Sequence, residues 1–330
     1  MTTVTTLKGH VSGDFPFMTK YGIIKYLELS QYLSAMDKCG YTFSSGQINV
    51  LTNFYKIGYE NGWINKLLYV MPFIGNSSAS KAAAVPMIDR FAGYSPALTG
   101  ASGGTFPSGD NYANYFKKDS GGNILAVVPY TNSKALVMNV SIYDLFVKTP
   151  DCSNQNNGNY GIDWYGNITT PGSISRICQS DGWPVLNYLG FLDDNRPYQE
   201  WFGRIASMPA IGTAMQENGA IFLSENIKPN SKNIMEYRAY DKTISTLLAN
   251  NETAERDDYT ELTDVELAKT LTFAVNASWN ATTRTVSRSN VDSGLETRYL
   301  AFHDGTLDAN DGITYRPALS ALLQTFNKTF

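Results

Sequence analysis

The sequence predicts a mainly β protein: a β-sandwich with an amino-terminal arm and helix and a short carboxy-terminal helix. Three observations carry that expectation. Short runs rich in β-branched and aromatic residues recur from Ile124 to Phe302, separated by turn clusters such as Asn154-Gln155-Asn156-Asn157-Gly158-Asn159. That is the pattern of packed antiparallel sheets, not of alternating strands and crossover helices. Charged residues make up 17% of the 330-residue chain while Tyr (21) and Phe (16) are plentiful. With typical charged content near ~25%, the polar surface must be carried by hydroxyls and amides. No repeat recurs at a fixed period, which argues against a solenoid or propeller.

The elements follow in order. Residues 1–14 are polar and Thr-rich without periodicity, and read as an arm. Residues 15–40 carry Phe15, Phe17, Ile23, Ile24, Leu27 and Leu29, more apolar surface than an exposed arm displays. A helix is expected over Tyr26–Lys38, and the region reads either as an anchor that docks on a partner or as part of the body. Ser44 followed by Gln47 spells a capping box. Ile48, Leu51, Tyr55 and Gly58 then recur at helical spacing until Gly62 ends the helix. Leu67–Ile74 is an apolar run of strand length, and Pro72 inside it suggests a sheet edge or a bulge. Gly93–Asn111 is a Gly/Ser/Pro-rich loop. Strands are expected at Ile124–Tyr130, Ala135–Lys148, Ile162–Tyr165, Ala220–Glu225, Asn233–Tyr240, Ala268–Ala277 and Leu295–Phe302. At the end, Pro317 suits a first helical turn, and Leu319, Leu322, Leu323 and Phe326 make a stripe that must lie on the sheet.

Two segments at opposite ends carry a resemblance. Gly62-Trp63-Ile64-Asn65-Lys66-Leu67-Leu68-Tyr69-Val70-Met71-Pro72-Phe73-Ile74-Gly75 resembles the string LWDKLDAIYPFLGG of phage and prophage virion proteins. Arg298, Leu300, Ala301, Phe302, His303, Gly305, Leu307 and Tyr315 resemble the closing pattern of the same family. The resemblance implies a concanavalin-like (laminin-G-like) jelly roll over residues 47–330, preceded by an anchoring or oligomerisation arm over residues 1–46. It implies a capsid or tail appendage that works by assembly and surface presentation. Its partners would be other virion proteins, further copies of itself and a host-surface glycan. The assembly arm would be carried by Phe15, Phe17, Ile23, Ile24 and Leu27. Deleting residues 1–40 is then expected to leave a folded sandwich that no longer enters particles.

Composition narrows the function classes. A net charge of −4 argues against nucleic-acid binding, which needs clustered Lys and Arg. No run approaches ~18 consecutive apolar residues, so no membrane insertion is expected. The start, MTTVTTLKGHVSGDFPF, has neither a basic leader nor an apolar core. The expected location is therefore the virion, after synthesis in host cytoplasm. Cys39, Cys152 and Cys178 with His10 and His303 lack zinc-site spacing, and neither metal nor cofactor is expected. Buried thiols suit cytoplasmic assembly, whereas Cys152 and Cys178 would close a loop in an oxidising compartment. The seven Asn-x-Ser/Thr sequons read as accidents of an Asn-, Ser- and Thr-rich chain.

The chemistry points away from catalysis. Neither a phosphate loop nor H-E-x-x-H occurs. Glu255, Asp257, Asp258 and Glu261 approach the E-x-D-x-x-E of sandwich glycosidases, but the second Glu stands one residue too far. Two carboxyls ~5–5.5 Å apart are required for retention, and this charged run reads as a solvated loop. Asp163-Trp164-Tyr165-Gly166-Asn167 and Ser180-Asp181-Gly182-Trp183-Pro184 place aromatics beside Gly and polar residues. Trp164, Tyr165 and Trp183 are thus the candidate glycan contacts. The alternative to a virion structural role is a carbohydrate-binding adhesin, with a polysaccharide depolymerase behind it.

Overall fold

Ser44 starts a helix by doing what its hydroxyl favours. In the computed structural model its Oγ accepts from the Gln47 N–H at 3.2 Å, and the Gln47 carbonyl Oε1 accepts from the Ser44 N–H at 2.9 Å. The capping box read from the sequence is present, and it satisfies donors that a helix start leaves open. The structure describes residues 17–75, 79, 82–83, 85–90, 307 and 309–326, together with the strands given below between 116 and 303. The Gly/Ser/Pro loop expected at 93–111 lies outside the described residues.

A hairpin of β1 (Phe17–Thr19) and β2 (Gly22–Ile24) leads into α1 (Leu27–Lys38) and then α2 (Ser45–Glu60). Gly62 takes φ +82°, a turn that only glycine makes without strain, and a short 3-10 helix (Trp63–Lys66) delivers the chain into β3 (Leu67–Met71). Gly58 in α2 lets this turn fold back, since a Cβ there would sit 2.7 Å from Ile64 Cβ and 2.9 Å from the Trp63 ring. Pro72 follows β3, and Phe73 holds φ 51°, an uncommon conformation for a bulky residue.

The β part comprises two principal antiparallel sheets among the described residues. The remaining strands are β4 (Ile88–Asp89), β5 (Phe116–Lys118), β6 (Ile124–Val127), β7 (Leu136–Ser141), β8 (Tyr160–Ile168), β9 (Ser175–Ser180) and β10 (Asn187–Phe191). They continue as β11 (Pro197–Trp201), β12 (Arg204–Ser207), β13 (Ile221–Ile227), β14 (Met235–Tyr240), β15 (Leu247–Thr253), β16 (Thr270–Val275), β17 (Ser278–Asn280), β18 (Thr285–Ser287) and β19 (Leu295–His303). One sheet runs β12-β11-β10-β9-β16-β7. The larger runs β15-β14-β13-β8-β19-β3-β4, with β5 and β6 attached through β19. The fold is β-rich and antiparallel, as expected. The strand at Leu67 differs in one respect: β3 pairs with β19 on one side and β4 on the other, so it is interior to the sheet. Pro72 escapes the cost of a missing ladder donor because the strand ends before it.

The helices are more than peripheral. Leu29, Leu33 and Met36 of α1 and Leu51, Phe54 and Tyr55 of α2 share one core with Val70 of β3, Tyr165 of β8 and Tyr299 and Ala301 of β19. The last helix, α3 (Ala309–Thr325), adds Tyr315, Ala318, Leu319, Leu322 and Leu323. It begins eight residues before the expected start at Pro317, which therefore lies mid-helix. A proline there removes the bond to the Ile313 carbonyl. Ile313 and Pro317 lie on the exposed face, where water can take that bond. Residues on the other sheet face, among them Ile162, Trp164, Leu300, Phe302, Tyr69 and Met71, are at most 1% exposed. The centre of this sheet is covered on both sides.

Candidate functional site

The amino-terminal hairpin is the first candidate surface. Thr19 Oγ accepts from the Tyr21 N–H at 3.1 Å and donates to the Gly22 carbonyl at 3.0 Å, closing a turn in which Gly22 takes φ +99°. The Tyr21 hydroxyl accepts from the Phe43 N–H at 3.1 Å, and Lys20 pairs with Asp37 of α1. Strand alternation then divides the expected assembly residues. Ile24 faces inward at 4% exposed, whereas Ile23 is 63% and Leu27 40% exposed. Phe15 lies outside the described residues, and Phe17 opens β1 with Ile24 as its cross-strand partner.

The arm and the body are not separate packing units. The core passes through residue 46 without a break, joining Leu29, Tyr32, Leu33 and Met36 to Leu51 and Phe54. Arg90, just after β4, clamps α1 to the sheet: its Nε and one terminal nitrogen donate to the two Glu28 oxygens at 2.5 and 2.7 Å. The other donates to the carbonyls of Ile64 and Leu67 at 2.7 and 3.0 Å. Burial works against the Arg90 charge and Glu28 more than offsets it, leaving the guanidinium pKa raised. Ile24 and the inner face of α1 belong to the same core as the sheet, so residues 24–36 are packed into the body.

The second candidate is a buried polar network under α3. Asp163 of β8 accepts from the Tyr315 hydroxyl at 2.9 Å, the Tyr315 and Tyr299 hydroxyls lie 2.9 Å apart, and His303 Nε2 stands 3.4 Å from the second Asp163 oxygen. Register builds this group: Ala301 pairs with Asp163 and Tyr299 with Tyr165, setting the odd-numbered residues of both strands under α3. Burial holds both tyrosine hydroxyls far above their ordinary pKa, with the Asp163 carboxylate adding to it. Asp163 and His303 are 0% exposed. This His–Asp pair lies inside the core beneath the last helix and presents no face to solvent.

The glycan contacts expected from the sequence fare differently. Trp164 is 0% and Tyr165 1% exposed, so neither ring offers a face to a sugar. Both sit in β8 at the middle of the sheet, where strand alternation buries one ring on each face. Trp183 and the carboxylates Glu255, Asp257, Asp258 and Glu261 lie outside the described residues. So does Gly100-Ala101-Ser102-Gly103-Gly104, which has the G-x-S-x-G form of a nucleophile elbow. Cys39 is half-buried at the end of α1, Cys178 lies in β9, and Cys152 is outside the described residues. Among the described residues no group of three or more metal-ligating side chains occurs, and no helix is long and apolar enough to cross a membrane.

No family model and no curated protein matches the chain. Among solved structures, a Trypanosoma rangeli sialidase in complex with 2,3-difluorosialic acid is similar at 8% identity and a TM-score of 0.36, over 60% of this chain and 28% of that one. The CBM40 of a Ruminococcus gnavus IT-sialidase bound to α2,6-sialyllactose is similar at 11% identity and 0.32, over 52% and 89%. The binding domain of botulinum neurotoxin DC in complex with SialylT is similar at 14% identity and 0.30, over 50% and 36%. The chain thus spans less than a third of the sialidase's length. Likenesses at these scores assign neither a fold family nor a ligand.

Proposed function

We propose that the chain is a structural component of a bacteriophage particle, a capsid or tail appendage with a concanavalin-like jelly-roll body. It acts by protein–protein assembly and surface presentation, and adhesion to a host glycan would belong to the same surface role. One observation supports this reading above others. The two segments that resemble virion proteins, residues 62–75 and 298–315, are neighbours in space: β3 pairs with β19, and Trp63 Nε1 donates to Thr314 Oγ1 at 3.1 Å. A likeness carried by two distant stretches gains weight when they build one core. In this reading the hairpin surface with Ile23 and Leu27 is the attachment face.

The test is mass spectrometry of gradient-purified particles from the host culture, with binding of sialyllactose to the recombinant protein measured in parallel. Sialyllactose, the sugar bound in the CBM40 structure named above, serves as the glycan probe. The expected result is stoichiometric recovery in particles. Absence from particles sinks the virion reading. Absence combined with saturable sialyllactose binding puts the adhesin reading in its place.

A further inference from the structure

We infer that α3 is a carboxy-terminal latch on which the amino-terminal helical layer depends, so that only a chain completed through about residue 326 presents its hairpin surface. The inference stands on geometry and does not need the particle reading. α1 and α2 are made first, but the surface they bury against is completed by β19 and α3, more than two hundred residues later. Phe54 meets Trp63 and Tyr315 at ring-centroid distances of 5.0 and 6.5 Å, Phe43 meets Phe326 at 6.1 Å, and Lys66 pairs with Asp311 at 2.7 Å. The apolar stripes of two short helices are not stable in water without a surface to cover them. Contacts so far apart along the chain also form late, because loop closure must come first.

The buried network fixes where the latch seats. A carboxylate held at 0% exposure is tolerated only while it is hydrogen-bonded, and the Tyr315 hydroxyl is the donor that α3 brings. A shift of α3 along the sheet would strand Asp163 and detach Tyr315 from Tyr299 in one step. The helix therefore has one favourable register. When it seats, the faces of Phe43 and Phe54 close beneath it.

Hydrogen exchange on the full-length chain, comparing wild type with Tyr315→Phe, tests the latch. Losing this hydrogen bond and leaving a buried Asp163 oxygen without its donor should speed exchange roughly tenfold or more in α3. The latch requires residues 29–60 to accelerate by a similar factor, although the nearest of them is 255 positions away in sequence. Leu319→Ala, in the same core but with no polar atom to bond Asp163, should produce the same coupled acceleration. Acceleration confined to α3 would overturn the inference, as would unchanged exchange in both segments of either variant.

Discussion

At Gly58 two residue-scale effects oppose each other, and their magnitudes decide the outcome. Alanine in a helix interior gains up to ~1 kcal/mol over glycine from propensity alone. Here the added methyl would meet Ile64 Cβ at 2.7 Å and the Trp63 ring at 2.9 Å. Neither is the free end of a flexible side chain, and overpacking of this kind costs about 1–3 kcal/mol. Strain wins. Gly58→Ala should lower the melting temperature by several degrees in calorimetry, while Gly312→Ala, whose close neighbour is the far end of the Arg316 side chain, should hold or raise it. Equal melting of Gly58→Ala and wild type would remove the close-approach explanation for this glycine. His303 carries a residue-scale lesson of its own. As one of only two histidines it stands out in the sequence, yet its position sealed in the core beside Asp163 makes it part of a packing network.

Among the elements, α1 changes most between expectation and structure. Its apolar content reads equally well as an anchor or as core, because a stripe of Leu29, Leu33 and Met36 looks the same whichever chain covers it. The covering surface turns out to belong to this chain, and the Arg90–Glu28 clamp holds it there. Removing residues 1–40 would strip Leu29, Tyr32, Leu33 and Met36, each at most 2% exposed. At ~1.5–3 kcal/mol for each side chain, the loss rivals the ~5–15 kcal/mol stability of a whole domain. The truncation should therefore be insoluble or lack cooperative unfolding, checked by denaturant titration. A cooperatively folded product of the truncation would restore the separable arm.

At the scale of the whole molecule, buried tyrosines join the helical layer to the sheet. Burial raises the pKa of Tyr32, Tyr55, Tyr69, Tyr299 and Tyr315 well above the ordinary value of 10.0. The native state therefore keeps protons that the unfolded chain releases above about pH 10. Stability from this source is fully present below that pH and is lost as pH rises beyond it. The melting temperature should hold through pH 9 and fall steeply above about 10, with the more exposed tyrosines titrating first and the absorbance of the five buried ones rising in one cooperative step at unfolding. Gradual ionisation of all tyrosines in a still-folded protein would contradict a shared buried core.

Local signals were legible in the sequence where the physics is local. The Ser44–Gln47 box, the Gly62 stop, the apolar periodicity of α2 and the runs that became β3, β8, β13, β14, β16 and β19 depend on near neighbours along the chain. Strands such as β10 (Asn187–Phe191) and β11 (Pro197–Trp201) were not legible, because Gly190 in the one and Pro197, Gln199 and Glu200 in the other weaken a short apolar signal that only a partner strand completes. The same limit governs the site. Trp164 in a Gly- and Asp-containing run gives the same sequence signal whether its ring meets solvent or core, and the pairing of β8 between β13 and β19 made it core. Tertiary structure alone decided which chain covers α1, where α3 begins, and that the two ends of the chain form one core. Burial and register are properties of contacts between distant residues, and no window along one strand or helix contains them.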